Sequence, residues 1–260
     1  MEAIGDFFSY VTTWDNWWGN RGLLQRTLDH LRLSAFSVLV AAVLALPAAI
    51  YLGHIRRGGL VAVWIVNIGR ALPSFAVLAL VLPVSLSWGF GLGFWPTAVA
   101  LVLLALPPIF TNTFTGIVEV DRGTVEAAVA MGMKPAQVAT KVEVPSALPL
   151  IITGLRVSSV QVVATATLGA LVGFGGLGAF IIEGFAQQDD GKLLAGAVFV
   201  AVLSVLTEIA FGVIQRRLTP WDAGQPDDAP LEAYVSPGED PTPDELEAEI
   251  TPTGTPASPT

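Results

Sequence analysis

Residues 124–145 form a polar, charged stretch between long apolar segments of the chain. Thr124 to Met131 is built of good helix formers, Gly132 can take the left-handed conformation that ends a helix, and Pro135 suits the first turn of the next helix. The stretch therefore predicts two short helices at an angle. Small alanines would let the first helix lie deep in a groove on another protein, and Glu126 near its start favours the positive end of the helix dipole. The predicted chemistry is recognition of another protein, with an ordinary amphipathic surface helix as the alternative.

Ionisable residues within apolar segments are the second feature that could carry chemistry. Arg70, Arg156 and Glu208 each interrupt such a segment. A charge in hydrocarbon is expensive, so it is usually paired or functional. At about 1.5 Å per residue the three lie at comparable depth from one end of their helices. We predict that Glu208 pairs with Arg156 or Arg70, and a packing salt bridge without substrate contact is the alternative to a functional pair.

Long apolar segments must position these residues. Hydrophobic residues make up 53% of the chain and charged residues 13%, and several apolar runs reach the roughly 20 residues that cross a bilayer. A soluble enzyme is therefore excluded, and an all-α, polytopic membrane protein is predicted. The predicted spans are 31–53, 60–84, 96–118, 146–171 and 193–215, with a sixth crossing open if residues 1–30 contribute.

The distribution of basic residues predicts the orientation. On the side of the polar loop lie Arg56, Arg57, Arg122, Lys134, Lys141, Arg216 and Arg217. On the other side lie Arg21, Arg26, Arg32 and Lys192. The positive-inside rule then places the loop and the C-terminal tail in the cytoplasm of a multi-pass protein, although the three N-terminal arginines oppose this assignment.

The chain divides into three regions. Residues 1–30 are predicted to be an N-terminal interfacial segment, and residues 31–218 a transmembrane domain whose cytoplasmic loop spans 119–145. Residues 219–260 are predicted to be an acidic, Pro-rich disordered tail, because ten acidic residues and no Lys or Arg follow Pro220. The tail therefore accounts for the net charge of −9.

Several kinds of site are excluded by composition. The chain has no cysteine, and His30 and His54, which flank the first predicted span, are too few for a histidine metal cluster. We assign both histidines to the interface without a special role, and we predict no catalytic residue and no metal site. Because no phosphate-binding G-x-x-x-x-G-K-[ST] sequence occurs, this chain is not expected to hydrolyse ATP itself.

The spacing within the loop matches a known motif. It resembles the cytoplasmic EAA loop of ABC importer permeases, written E-A-A, three residues, G, nine residues, I-x-L-P. The matching positions are Glu126, Ala127, Ala128, Gly132, Val142, Val144 and Pro145. Val142 for Ile and Val144 for Leu are the departures. The resemblance implies that these residues couple an ATPase to transport.

Three further segments resemble the osmoprotectant branch of these permeases, which serves glycine betaine, carnitine and choline. They are 69–76 (GRALPSFA), 106–109 (LPPI) and 166–178 (ATLGALVGFGGLG). The match covers about residues 25–218. It implies the type I, MetI-like permease fold, located in a prokaryotic inner or plasma membrane.

The resemblance also implies the partners. Cytoplasmic ABC ATPase subunits would hold ATP and Mg²⁺, so this chain needs no cofactor of its own. A second permease chain, the same or related, would complete the path, and an extracytoplasmic binding protein would deliver the solute. Membrane lipid surrounds the spans, and no nucleic acid is expected.

A set of residues within the spans is predicted to line the path or its gate. The prolines would kink or unwind the helices, the hydroxyls could contact a solute, and the arginine is the intramembrane charge. These candidates are Arg70, Pro73, Ser74, Pro107, Pro108, Thr165 and Thr167. A structural kink or a hydroxyl bonded to backbone is the alternative for each.

Other functions remain as alternatives. The chain could be a permease for a different small solute such as an amino acid, or a membrane scaffold that docks a partner without transport. A membrane enzyme should show convergent His, Asp or Glu residues within the spans, and only Glu208 lies there.

Overall fold

The computed structural model describes residues 2–56 and 73–219, and within these ranges the protein is helical without any strand. The helices are α1 (Glu2–Thr12), α2 (Leu23–Ile55), α3 (Ser74–Ser87), α4 (Phe94–Val118), α5 (Arg122–Ala130), α6 (Pro135–Val138), α7 (Val144–Thr165), α8 (Gly178–Gln187) and α9 (Asp190–Leu218). Short 3₁₀ turns cover Trp14–Asn16 and Ala166–Val172, and a π-helical turn covers Ala139–Glu143. The predicted all-α class is confirmed.

Four stretches of the described residues are long and apolar enough to cross a membrane. They are α2, α4, the continuous stretch Pro135–Val172, and α9. Each contains a predicted span. The one predicted span left, 60–84, lies partly outside the described residues. Its described part falls mostly in the shorter apolar helix α3. α2 begins at Leu23, eight residues before the predicted start of the first span.

Helices α2, α4 and α7 form the core of the bundle. On α2, alanines at four-residue spacing, Ala41, Ala45 and Ala49, are fully buried. Across from them Ala98, Leu101 and Ala105 of α4 are buried as well. Small residues on one helical face let two backbones approach closely. Helices in a membrane associate through such packing, because lipid tails are as apolar as the side chains and the hydrophobic effect does not drive the helices together.

The end of the bundle opposite the polar loop is held by an ion cluster. Glu183 of α8 accepts from Arg26 of α2 and from Lys192 of α9, each at 2.8 Å. Arg26 is buried, and its guanidinium lies 4.8 Å from the centre of the Phe180 ring. α1 packs nearby on the start of α9, since a Cβ at Gly191 would lie 2.6 Å from the carbonyl oxygen of Asp6.

Both histidines correct the expectation from sequence. His30 is completely buried, and its Nε2 lies 2.8 Å from the carbonyl oxygen of Val163 on α7. Nδ1 of His54 lies 2.6 Å from Oε2 of Glu143, whose side chain is buried. Neither residue is a simple interfacial side chain, because the bundle closes around the two ends of α2.

Candidate functional site

The first helix of the polar loop, α5, begins with a side-chain cap. The backbone N–H of Thr124 donates to Oδ2 of Asp121 at 2.8 Å, and the Thr124 hydroxyl lies 3.0 Å from the same oxygen. These hydrogen bonds to its charged form lower the pKa of Asp121. The helix thus starts at Arg122, two residues before the predicted start, because Asp121 satisfies one of its free N–H groups.

The same helix ends in a Schellman motif at Gly132. The N–H of Met133 donates to the carbonyl of Ala128 at 3.2 Å, and the N–H of Gly132 donates to the carbonyl of Val129 at 2.9 Å. Gly132 has φ of +84°, the left-handed conformation that the sequence predicted for it. No atom lies within 4 Å of a Cβ built there, so the backbone angle rather than space favours glycine.

The second helix of the loop, α6, begins with Pro135 in its first turn, as predicted. Gln137 caps it, since its Oε1 accepts from the N–H of Lys134 at 2.8 Å. The four-residue helix continues through the π-helical turn Ala139–Glu143 into α7. The loop is therefore rigidly continuous with a membrane-spanning helix.

The two helices expose most of the motif. Glu126, Ala127 and Ala130 are exposed, and Val129 and Met131 leave 57% and 77% of their surfaces uncovered. This apolar tip is typical of a docking surface.

Ala128 is an exception to the predicted groove-binding face. It is buried within the chain, on a helix that packs against α6. Val142 and Val144 are half-buried in the π-turn and at the start of α7, and Pro145 is exposed. Only part of the motif is thus available to a partner.

Two of the predicted path residues meet in a pocket. Ser74 at the start of α3 and Thr165 at the end of α7 line the same small cavity, which has room for about one water molecule. The other described lining residues are Leu78, Thr97, Ala100, Leu101 and Leu168. Pro73 lies directly before α3 as its N-cap residue, with φ of −59° and ψ of +129°. The pocket has three hydroxyls on apolar walls.

Pro107 and Pro108 do not unwind α4, contrary to the expectation from sequence. The helix continues through both to Val118, and both are buried. A Cβ on Gly154 of α7 would lie 2.9 Å from the carbonyl oxygen of Pro108. Pro108 therefore lies at the α4–α7 contact, and neither proline is among the residues that line the pocket.

Thr167, another predicted path residue, lies elsewhere. The hydroxyl of Thr167 donates to the carbonyl of Ala164 at 3.0 Å, and Thr167 is not among the residues that line the pocket. Arg70 lies outside the described residues.

The structure brings Arg156 and Glu208 together. Nε of Arg156 on α7 donates to Oε1 of Glu208 on α9 at 2.7 Å, and its Nη2 contacts the same oxygen. The pair is half-exposed along the bundle. No group of three His, Asp or Glu suited to a metal ion occurs within residues 2–56 and 73–219.

Sequence reasoning missed Glu143. It occupies the unspecified position of the motif, between Val142 and Val144, and the structure buries it against His54. The available signal was an acidic residue that adjoins one apolar span while a histidine ends the first span. That signal was too weak to read without knowing that α2 passes beside the loop.

Aromatic residues gather at the end opposite the loop. Phe36, Phe94 and Trp95 have ring centres 5.4–6.2 Å apart, and Phe90 and Phe174 extend the cluster. Rings at these separations touch one another at tilted or edge-on angles.

Comparison with known proteins gives matches over most of the chain. A family described as binding-protein-dependent transport system inner membrane component matches residues 38–220. The chain is 34% identical to a carnitine transport permease protein of Listeria monocytogenes, over 85% of this chain and 95% of that protein. It is 35% identical to a choline transport system permease protein of Bacillus subtilis, over 76% and 89%.

Solved structures give a similar result. The MetNI methionine ABC transporter in an inward-facing conformation matches with a TM-score of 0.69 and 27% identity, over 76% of this chain and 96% of that chain. An amino acid ABC transporter solved with histidines has the same fold, with a TM-score of 0.64 and 21% identity, over 81% and 98%.

Proposed function

The chain belongs to the family of binding-protein-dependent transport system inner membrane components, and from this premise we propose that it imports compatible solutes. It is the permease subunit of an ATP-driven importer, and hydrolysis takes place in a separate ATPase. We assign glycine betaine, choline or carnitine as the solute, supported by relatives named for carnitine and choline transport.

The observation that carries the mechanism is the exposed helix–turn–helix of the loop. Val129 and Met131 form an apolar tip beside Glu126, on helices fixed by the Asp121 cap and the Gly132 turn. We assign this tip to a groove on the cytoplasmic ATPase, which holds ATP and Mg²⁺. Because α6 continues into α7, a movement of the ATPase would pass directly to a membrane-spanning helix.

The pocket at Ser74 and Thr165 is assigned to the translocation path. Its seven described lining residues carry no ionisable group. Hydroxyls and apolar walls suit brief contact with a methylated solute, and a path needs weak binding so that the solute can leave. It has room for about one water molecule, so it would hold a methyl or hydroxyl group of the solute rather than the whole solute. A second permease chain, the same or related, would complete the path, and an extracytoplasmic binding protein would supply high affinity.

The count of basic residues supports placing the loop in the cytoplasm. Seven Lys and Arg residues lie on the side of the loop and four on the other side. Lys134 and Lys141 on the loop side are exposed.

The test is uptake into proteoliposomes that hold this chain with its ATPase and binding protein. Radiolabelled glycine betaine, choline and carnitine are offered with and without ATP. We expect ATP-dependent uptake of at least one. If none is taken up while the binding protein still stimulates ATP hydrolysis, the compatible-solute assignment is wrong.

An amino acid is the second candidate solute, because the methionine transporter shares 27% identity with this chain. Uptake of labelled methionine in the same vesicles, with its inhibition by glycine betaine measured, distinguishes the two candidates.

A further inference from the structure

His54 and Glu143 form a buried contact between the first long span and the polar loop. His54 lies in the last turn of α2, and its Nδ1 is 2.6 Å from Oε2 of Glu143, 89 residues along the chain. Glu143 is 1% exposed. A carboxylate so deeply buried is costly unless it is paired, so this contact is a requirement of the local structure rather than a chance surface pair.

The π-helical turn aims Glu143 at α2. Buried residues along this stretch are Val138, Glu143, Ala147 and Ile151, at steps of five, four and four. In an α-helix, a residue five positions after a buried one points away from the buried face. In a π-turn, hydrogen bonds join residues five apart, so Glu143 returns to the same face as Val138. Since π-turns are rare and occur frequently at functional sites, the extra residue indicates that the position of Glu143 matters.

A second contact joins the same turn of α2 to the other end of the loop. Nη2 of Arg56 donates to the carbonyl of Val120 at 3.2 Å. Val120 precedes α5 and Glu143 follows α6, so the end of α2 contacts the loop on both sides of its two helices. Arg56 itself has φ of +48°, an uncommon backbone conformation for a residue other than glycine.

The surrounding helices are packed too closely to slide independently. A Cβ on Gly53 would lie 2.8 Å from Cβ of Ile117 at the end of α4. Ile117 in turn packs on Ala147 and Ile151 of α7. The ends of α2 and α4 and the start of α7 therefore form one unit around the His54–Glu143 contact.

We propose that His54 and Glu143 are positioning residues that transmit movement of the loop to α2. The inference rests on the proposed function and deepens it. A push on α5 and α6 reaches α7 through the continuous chain, but it reaches α2 through tertiary contacts. Of the two polar contacts described above, the His54–Glu143 pair joins two side chains and includes a buried carboxyl group, so a shift of the loop displaces a group that α2 holds.

The test measures solute transported per ATP hydrolysed in the complete importer in proteoliposomes. Glu143→Gln keeps a hydrogen bond to the histidine without a buried charge, and H54A/E143Q removes the contact. We expect E143Q to stay within about twofold of the wild type. We expect H54A/E143Q to transport about three- to tenfold less solute per ATP, the range of coupling between contacting residues.

A matched control separates coupling from stability. Glu183→Gln weakens another partly buried ion pair, at the opposite end of the bundle. It should lower the thermal unfolding temperature without changing the transport ratio. If H54A/E143Q behaves as this control does, losing stability with an unchanged ratio, the pair is only structural and the inference is wrong.

A failure of the solute assignment can be distinguished. If the wild type transports none of the offered solutes, the readout becomes the factor by which the binding protein stimulates ATP hydrolysis. H54A/E143Q should then lower that factor about threefold or more relative to E143Q. An equal factor in the two variants overturns the inference, whatever the solute.

Discussion

Arg156 and Glu208 join α7 to α9 through a hydrogen bond of 2.7 Å from Nε to Oε1. Nη1 of Arg156 also reaches Oε1 of Gln215, one to two turns further along α9, at 3.5 Å. Both charged residues lie within helices that are apolar enough to span a membrane. The pair therefore lets two otherwise costly charges stay within the bundle.

Glu208→Gln should destabilise the protein by about 2–3 kcal/mol, because it leaves the Arg156 charge unpaired within a span. Thermal unfolding in detergent measures the effect. R156Q/E208Q should recover more than half of the loss, and Asp15→Asn, at an exposed position, should be neutral. An unchanged unfolding temperature for Glu208→Gln would show that the pair contributes nothing.

Gly132→Val should impair coupling, because a β-branched residue at φ of +84° costs about 1–2 kcal/mol and favours a different turn. Gly132→Asn should be milder, since asparagine tolerates this conformation. The measurement is transport per ATP hydrolysed. Gly91→Val is the matched control, because Gly91 has φ of +76° and open space but lies far along the chain from the loop. Equal losses in the two valine variants would count against the geometry of the turn.

Gly154→Val should separate α4 from α7 and cost about 1–3 kcal/mol through overpacking. The reason is that its Cβ would lie 2.9 Å from the carbonyl oxygen of Pro108 and 3.0 Å from Cβ of Asn112. Gly212→Val, in α9 with no atom within 4 Å of its Cβ, carries the same change without the clash. The unfolding temperatures in one detergent should differ clearly, and equal values would contradict the packing argument.

Thr165→Val should slow solute uptake roughly two- to tenfold, the value of one hydroxyl hydrogen bond. The shape of the side chain is retained, so a loss reports the hydroxyl of this lining residue. Thr167→Val is the control, because its hydroxyl is bonded to the carbonyl of Ala164 and it is not a lining residue. Uptake rates at matched expression decide the question, and equal rates for Thr165→Val and wild type would remove this residue from the path.

Glu183 should make stability depend on pH in the acidic range. Burial acts to raise the pKa of Glu183, but the hydrogen bonds and charges of Lys192 and Arg26 outweigh it and hold the pKa below its ordinary value. A lowered folded-state pKa contributes stability above the unfolded-state pKa, and this is lost as pH falls through the folded-state value.

Wild type should accordingly unfold at a higher temperature than Glu183→Gln at neutral pH. The gap should narrow as the pH falls through the lowered pKa. Thermal unfolding of both proteins across this range measures it. A gap that is constant with pH would show that the carboxylate's charge is not what stabilises the cluster.

Local features of the chain could be predicted from sequence because they depend on neighbouring residues. Gly132 ends α5 in the left-handed conformation and Pro135 begins α6, as the propensities of these residues favour. Helix boundaries were less predictable. Asp121 extended α5 towards its N-terminus, and Pro107 and Pro108 stayed within a continuous α4 because the bundle packs around them.

Apolar runs and the residues of the loop were enough to determine a helical membrane protein with a loop of two short helices. Which side chains meet was decided only by the tertiary structure. Ser74 and Thr165 share a pocket, and His54 reaches Glu143 across 89 residues, because small residues such as Gly53 and the alanines of α2 set how closely each helix approaches and how it is rotated. That rotation depends on packing along the whole interface, and no local pattern in the sequence contains it.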